Sequence, residues 1–530
     1  MKKPFLLSFG IILIISFLIF HTWISFDIFS TGDWGYRFSE SSFEMRVVSF
    51  WESGSSFGNI NISTWRWSFH FIESLFGNFG FGWNISEKFL IMFPVIVFFP
   101  YISYLFLRRL KFPFLASITG SFVFCYNSYF LSIYTHGHIP LAIAGAWGVL
   151  ALYFCMHLVE KKRMEWAFLA GIMLSLAGYY DFRFAYIFFF VCSAFLAMEW
   201  VREVWDRKYR RGNSGLLRKS LAKTGGEEKR KKLWIATLGD SLAKTGIRKD
   251  LLAKTEGEER RKRSWIATSS GAPPRKDGEG WKLFWFSGVF VAVFVGLNVF
   301  WVLPFMNAGS MGDNAGVGRD LFGNDYFELD DAMYLSHPFW TGYGVRWMSD
   351  QPTPWWLSIL GVLAWVGFWV GVRKNAKCKM QNEKWGVDET QLRIQNAKEA
   401  EEGKLEMRNN QLSLRPTGTF SSPSPLSGVP DISPQAGAKE SGEWDSDWEE
   451  NRRRRYILFF AVLSVIGILL SKQVSDPFGN LYYWLYDNFP GFNAFREASK
   501  FYILIALGYA VGMASLVEWL LPPSRHGKKE

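Results

Sequence analysis

Blocks of apolar residues as long as a bilayer core is thick constrain this chain more than any other feature. Phe5 to Phe20 and Phe89 to Leu107 contain no charged residue. A helix that crosses the hydrocarbon core needs about 20 predominantly apolar residues. We therefore predict an all-α polytopic membrane protein, and not the several soluble domains that 530 residues would otherwise allow.

The apolar blocks predict about ten transmembrane helices. They lie near residues 5–25, 89–107, 114–134, 139–157, 166–180, 182–200, 283–304, 355–372, 456–471 and 501–521. Lys2 and Lys3 precede the first block and no small-residue cleavage motif follows it, so it is interpreted as an uncleaved signal anchor. The basic loops all fall on one side of a ten-span arrangement, which predicts a multi-pass plasma-membrane protein with both termini cytoplasmic.

Loop composition divides the chain into five regions. An N-terminal transmembrane module covers 1–200, with a long external loop at 26–88, and a transmembrane pair at 283–372 encloses an external loop at 305–354. A second pair with a short basic tail covers 456–530. Between these modules, polar cytoplasmic inserts at 201–282 and 373–455 lack apolar faces and are predicted to be disordered. The first insert is repetitive, since Trp234-Ile-Ala-Thr237 recurs as Trp265-Ile-Ala-Thr268.

The net charge of +11 is concentrated in one place. Residues 202–282 hold 23 Lys and Arg against 11 Asp and Glu, whereas the rest of the chain is nearly neutral. Basic charge beside a membrane span follows the positive-inside rule, so no nucleic-acid partner is predicted. Contact of this tract with anionic lipid or RNA is the alternative.

Neither metal nor cofactor chemistry is predicted. The four cysteines have no CxxC spacing, and Cys125, Cys155 and Cys192 lie inside apolar blocks, where cysteine is a small buried hydrophobe. The sequence contains no GxxxxGK[ST] and no strand-associated GxGxxG motif, which argues against an ATP-driven pump.

The first external loop contains the candidate catalytic residue. Aromatic residues recur through 26–88 without a membrane-length run, and 43–51 and 65–76 are predicted to form helices in the membrane interface. Asp33 lies just beyond the first span. A carboxylate among aromatics at a membrane surface has a raised proton affinity and suits a general base, although Asp33 could equally cap a helix or form a turn.

Other candidate residues lie on the same predicted side. His136 and His138 occupy the connection between the third and fourth spans, and Asp181 and Arg183 occupy the turn between the fifth and sixth. Ionisable groups at span ends usually have a partner and a function, whereas histidine is also common as simple helix-end polarity.

The last external loop carries a second charged group, with Arg496, Glu497 and Lys500 just before the final span. On an α-helix, Arg496 and Lys500 are four residues apart and share one face. Arg offers bidentate hydrogen bonds and Lys a point charge, so the pair could hold a phosphate or pyrophosphate. The alternative is a pair of basic side chains that extend to the interface.

Together these elements resemble the GT-C superfamily of integral membrane glycosyltransferases, particularly its bacterial and archaeal branch of YfhO-type and arabinofuranosyltransferase-like proteins. The resemblance covers about 1–200, 283–372 and 456–521. The matching elements are Gly32-Asp33-Trp34, Ser74-Leu-Phe-Gly77, Gly137-His138 and Phe495-Arg-Glu-Ala-Ser-Lys-Phe501.

The resemblance implies transfer of a sugar from a polyprenyl-phosphate donor to a glycan or lipid-linked acceptor at the outer membrane face. Asp33 would deprotonate the acceptor hydroxyl. Arg496 and Lys500 would stabilise the departing lipid phosphate, assisted by Asp181 or Arg183, and Glu497, His136 and His138 complete the predicted substrate-binding set. Asp33 has no adjacent second acid, so no metal is predicted.

Two other classes are left open by the sequence. A lipid or glycan transporter predicts broken helices, inverted repeats and ionisable residues near the bilayer midplane. An inactive scaffold of the same fold predicts inserts that bind cytoplasmic partners.

Overall fold

The computed structural model describes residues 2–23, 51–52, 59–60, 67–206, 279–307, 329–336, 356, 358–373, 438–495 and 497–521, and the text below concerns these residues. Apart from one short pair of strands, β1 (Trp51–Glu52) and β2 (Asn59–Ile60), regular structure here is helical, as predicted. The α-helices are α1 (Lys2–Ile19), α2 (Trp67–Asn78), α3 (Trp83–Arg109), α4 (Phe114–Cys125), α5 (Ser128–Thr135), α6 (Ile139–Lys161), α7 (Met164–Tyr180), α8 (Phe182–Asp206), α9 (Glu279–Asn307), α10 (Leu329–Tyr334), α11 (Ser358–Arg373), α12 (Ala438–Ser471), α13 (Gly479–Asn488) and α14 (Tyr502–Leu520).

Six of these helices are long and apolar enough to cross a membrane, namely α3, α6, α8, α9, α12 and α14. A seventh span results if α4 and α5, which are bent by 47°, act as one. Helices also occupy the remaining predicted positions, but α7 has 17 residues and the apolar parts of α1 and α11 are shorter still. The membrane character is therefore clear, while the count of ten spans stays a prediction.

The bend between α4 and α5 is formed by one residue that the sequence prediction treated as part of a continuous span. The Asn127 side-chain oxygen accepts a hydrogen bond from the Phe130 amide (3.1 Å), which caps α5. Its amide nitrogen donates to the carbonyls of Val123 (3.2 Å) and Phe124 (2.8 Å) at the end of α4. Asn127 thus satisfies backbone groups on both sides of the break, as an apolar environment requires.

Helix α3 is irregular near its start. Lys88–Met92 and Pro94–Phe98 are π-helical, because Pro94 supplies no amide hydrogen and its ring crowds the preceding turn. Glu87 and Lys88 are buried here, with Lys88 Nζ 3.7 Å from Glu87 Oε2 and 3.2 Å from Met92 Sδ.

The described residues belong to two compact units, of which the first comprises residues 1–150, 176–187 and 300–530. Helix α14 lies at its centre and is buried along nearly its whole length. Glycines bring the helices close together. A β-carbon on Gly120 of α4 would lie 2.6 Å from the Ala510 carbonyl oxygen of α14, and Gly508 and Gly512 directly contact α12 and α11.

The second unit comprises residues 151–175 and 188–299. Within it, Lys162 Nζ lies 2.8 Å from Glu203 Oε1, so the start of α7 adjoins the end of α8. The two helices therefore run antiparallel, which confirms the predicted reversal at Tyr179 to Arg183. Cys155 and Cys192 are buried in this unit as free thiols, in keeping with their apolar setting.

Several sequence predictions fall largely or wholly outside the described residues. These are the interfacial helix at 43–51 (of which only Trp51 is described), most of the inserts at 201–282 and 373–455, and most of the external loop at 305–354. The described ends of the inserts are helical and not disordered, since α8 extends to Asp206, α9 begins at Glu279 and α12 begins at Ala438. The second predicted interfacial segment, 65–76, corresponds to α2.

Candidate functional site: a buried ion network

Asp181 lies at the chain reversal between α7 and α8, and its carboxylate is almost completely enclosed by protein groups. Arg183 donates to it from Nη2 (2.7 Å) and from Nε (3.2 Å to each oxygen). The backbone amides of Arg183 (2.9 Å) and Phe184 (3.2 Å) donate to Oδ1. Asp181 is thereby the N-cap of α8 as well as one half of a buried ion pair.

Two opposing effects set the pKa of Asp181. Burial alone would raise it, because desolvation disfavours the charged carboxylate. The Arg183 guanidinium, the nearby Lys500 ammonium and the Phe184 amide all favour the charged form and together outweigh burial. The pKa of Asp181 is consequently lowered from its usual range, and the carboxylate is ionised at neutral pH.

A second ion pair lies immediately before α14. Lys500 Nζ donates to Glu497 Oε2 at 2.8 Å, and the two residues are three apart in sequence. The Lys500 side chain is fully buried, whereas 35% of the Glu497 side chain is exposed. The pair therefore has one inaccessible member and one that reaches solvent.

The two ion pairs belong to the first compact unit and act on each other. Lys500 stabilises the charge of Asp181, and Glu497 stabilises that of Arg183. The network thus contains two acidic and two basic side chains, which come from segments that are far apart in sequence. We call Asp181, Arg183, Glu497 and Lys500 the ion network.

Tyr129 is a member of the same site that sequence reasoning missed. Its side chain is completely buried in α5, and its ring centroid lies 5.2 Å from that of Tyr502. The hydroxyl lies within electrostatic range of Asp181, Arg183 and Glu497, but has no hydrogen-bond partner among the described residues. The sequence carries no signal for this role, because Tyr129 is one aromatic among many in an apolar block.

The short helix α10 is attached beside this site. Ser128 Oγ donates to the carbonyls of Tyr334 and Leu335 (both 3.0 Å), and the Tyr502 hydroxyl donates to that of Ser336 (2.8 Å). Asp331 of α10 is buried and lies within electrostatic range of the Tyr502 phenol. The site therefore includes a third carboxylate that was not predicted.

The predicted histidines contact their own helix. His136 is buried, and its Nδ1 lies 2.8 Å from the Ser132 carbonyl and 3.1 Å from Thr135 Oγ1. The His138 amide donates to the Ile133 carbonyl (3.0 Å). These contacts fit helix-end polarity.

One local prediction is wrong. The segment before the last span is not a continuous α-helix, because Phe495 (φ −96°, ψ 45°) and Glu497 (φ −97°, ψ 104°) have non-helical backbone angles between two short 3₁₀ turns. Helical spacing therefore does not place Arg496 and Lys500 on a shared face. Arg496 itself, like Asp33, lies outside the described residues.

An apolar cavity of about 620 Å³ lies along α11 in the first unit. Met333 of α10 and Gly361, Trp365 and Trp369 of α11 contribute to its walls. Its lining contains no Asp, Glu, Lys, Arg or His side chain and is mostly apolar, so the cavity suits hydrocarbon rather than sugar or phosphate.

Within the described part of the chain, no three His, Cys, Asp or Glu side chains are grouped as metal ligands would be. Comparison with protein-family models, with curated proteins and with solved structures gave no match. The chemistry assigned to the chain therefore rests on its own residues.

Proposed function

We propose that this chain is a membrane glycosyltransferase that moves a sugar from a polyprenyl-phosphate donor to an acceptor at the extracytoplasmic face. The observation that carries the proposal is the ion network. Its four charged residues come from two loops that are distant in sequence, and they lie in one cluster at the ends of apolar helices. Buried ionisable groups in a membrane protein are costly, and they usually mark a functional site.

The proposed reaction needs three kinds of group. A base removes the acceptor proton, cations stabilise the departing lipid phosphate, and aromatic surfaces hold the sugar. The acceptor oxygen forms a bond to the anomeric carbon as the bond from that carbon to the phosphate oxygen breaks. The proton passes to the Asp33 carboxylate, and the polyprenyl phosphate leaves with the electron pair.

The ion network suits the phosphate end of this reaction. The Lys500 side chain is fully buried and that of Arg183 is 26% exposed, and charge stabilisation in such a partly desolvated site is stronger than in bulk solvent. Arg496 belongs to the same proposed set. The apolar cavity along α11 offers hydrocarbon-compatible surface for the lipid part of the donor.

The test is sugar transfer by purified protein in lipid nanodiscs, supplied with a panel of radiolabelled polyprenyl-phosphate hexoses and pentoses. We expect Asp33→Asn to abolish transfer while expression and thermal unfolding stay unchanged. Arg496→Ala should also abolish it. Full activity of the Asp33→Asn protein would eliminate Asp33 as the base, and inactivity of the wild-type protein with every donor would argue against the proposal.

A transporter for a lipid or glycan is the second candidate, and the broken helix favours it. The 47° bend at Asn127 and the buried Glu87 and Lys88, where α3 changes from α-helical to π-helical, are features of transport pathways. Asn127 and the Tyr134 hydroxyl, which donates to the Cys125 carbonyl, satisfy backbone groups at the break, so the break does not require a substrate. Movement of a labelled lipid across proteoliposomes without sugar transfer would favour the transporter.

A further inference from the structure

Lys500 presents an unusual problem of charge compensation. Its ammonium group is fully buried, and an unpaired buried cation would be costly. The carboxylate that pairs with it is Glu497, which is about one-third exposed and lies in non-helical backbone between two short turns. The buried cation is therefore neutralised by the most solvent-accessible member of the ion network.

The Asp181 carboxylate, unlike that of Glu497, is almost completely buried. It accepts hydrogen bonds from two guanidinium nitrogens and two backbone amides, and 4% of its side chain is exposed. Displacement of Asp181 would break all of these contacts and leave Arg183 unpaired. Of the two carboxylates, Glu497 alone can leave its cation by rotation towards solvent.

Tyr129 supplies a hydrogen-bond donor next to the same network. Its hydroxyl is buried and has no hydrogen-bond partner among the described residues, which is an unfavourable state. Contact with the rings of Tyr502 and Phe130 holds the side chain in place. A fixed hydroxyl within electrostatic range of Arg183 and Glu497 suits an oxyanion acceptor.

We propose that the Glu497 carboxylate is bound to the Lys500 ammonium until a lipid phosphate displaces it, and that the Tyr129 hydroxyl donates a hydrogen bond to the bound phosphate. This inference rests on the proposed function, since that function defines the ligand as a phosphate on a lipid carrier. A phosphate monoester carries the negative charge that Lys500 needs when Glu497 moves into solvent.

The test is a binding titration of purified full-length protein with farnesyl phosphate, followed by intrinsic tryptophan fluorescence. Glu497→Gln removes the competing charge, so we expect the dissociation constant to fall about tenfold. Tyr129→Phe removes one hydrogen bond to a charged ligand and should raise it at least about tenfold. If both residues served only to stabilise the fold, the two substitutions would not change the dissociation constant in opposite directions.

Two variants serve as matched controls. Tyr134→Phe lies in the same helix, but its hydroxyl already donates to the Cys125 carbonyl (3.1 Å). Glu518→Gln breaks an ion pair with Arg453 at the opposite end of α14. Both should leave the dissociation constant unchanged. Farnesol and inorganic phosphate, titrated separately, establish whether the lipid, the phosphate or their combination is recognised.

The outcomes separate this inference from the proposed function. If wild-type protein binds none of the three probes, the proposed function fails together with the inference. If wild-type protein binds farnesyl phosphate and Glu497→Gln binds it equally or more weakly, displacement is wrong while the function stands. Thermal unfolding of each variant identifies misfolding. If Glu497→Gln does not fold, the inference is tested by Tyr129→Phe, which conserves side-chain shape, and an unchanged dissociation constant in that variant would contradict it.

Discussion

At the scale of single residues, the two carboxylates of the ion network differ in how completely protein groups bind them. Asp181 is held by a guanidinium and two amides and is 4% exposed, whereas Glu497, which is hydrogen-bonded to Lys500, is 35% exposed. The first arrangement fixes a charge in place, and the second allows it to exchange. Under the proposed function, this difference would give Asp181 a positioning role and Glu497 a role in ligand exchange.

Asp181 should make stability depend on pH in the acid range. Its pKa is lowered in the folded protein, so its contribution is fully present above its unfolded value of about 3.9 and is lost as pH falls through the folded value. We expect Asp181→Asn to lower the thermal midpoint near pH 7. Its difference from wild type should shrink when the pH falls below about 4.

The control for this experiment is Asp206→Asn in the second unit. Asp206 is 53% exposed and 3.9 Å from Arg202, so removal of its charge should change the midpoint little at any pH. A difference between wild type and Asp181→Asn that stays constant from neutral to acid pH would contradict the assigned ionisation.

At the scale of elements, small residues determine how closely α14 packs with its neighbours. Gly508 and Gly512 form a GxxxG pattern on α14, and Gly120 allows α4 to approach the Ala510 carbonyl. Close backbone contact matters because apolar side chains gain little from contact with each other rather than with lipid. The ion network therefore lies at the end of a tightly packed helix group.

Gly120→Ala tests this packing. The added methyl group would lie 2.6 Å from the Ala510 carbonyl and 2.7 Å from Leu107 Cδ1, so α4 must shift. We expect the free energy of unfolding in detergent to fall by about 1–3 kcal/mol. Gly10→Ala is the control, since nothing lies within 4 Å of its added methyl group, and equal losses in both variants would contradict the packing argument.

At the scale of the whole molecule, the main open property is the number of membrane crossings. The bent pair α4 and α5 either crosses the membrane or enters and returns on the same side. The ten-span prediction requires a crossing, because the charged loops before and after it were assigned to opposite faces. If the pair crosses, Arg163 and the first external loop lie on opposite sides of the membrane. If the pair returns, they lie on the same side.

Single-cysteine labelling distinguishes these arrangements. In a chain whose native cysteines are replaced, we expect a membrane-impermeant maleimide to label Ser55→Cys in intact cells. Arg163→Cys should be labelled only after permeabilisation, because three predicted spans separate the two positions. Labelling of both from the same face would show that α4 and α5 do not cross.

Sequence patterns predicted the helix positions and the reversal at Asp181, because apolar length and a charged tight turn are local properties. They did not predict the bend at Asn127, the non-helical backbone around Glu497 or the role of Tyr129. The role of Tyr129 depends on a group that is distant in sequence, Tyr502. The bend at Asn127 is local, but a single polar residue within an apolar block does not by itself indicate a break. The charged residues of the site were recognisable, but their pairing was not.

The pairing within the ion network also bears on how the chain enters a membrane during synthesis. Asp181 and Arg183 are two residues apart, and Glu497 and Lys500 are three apart, so each half neutralises its own charge. The halves are separated by about 300 residues, which a ribosome needs roughly 15–60 s to translate. Each half can therefore be inserted as a neutral pair, and no charge remains unpaired in the bilayer until the distant half has been synthesised.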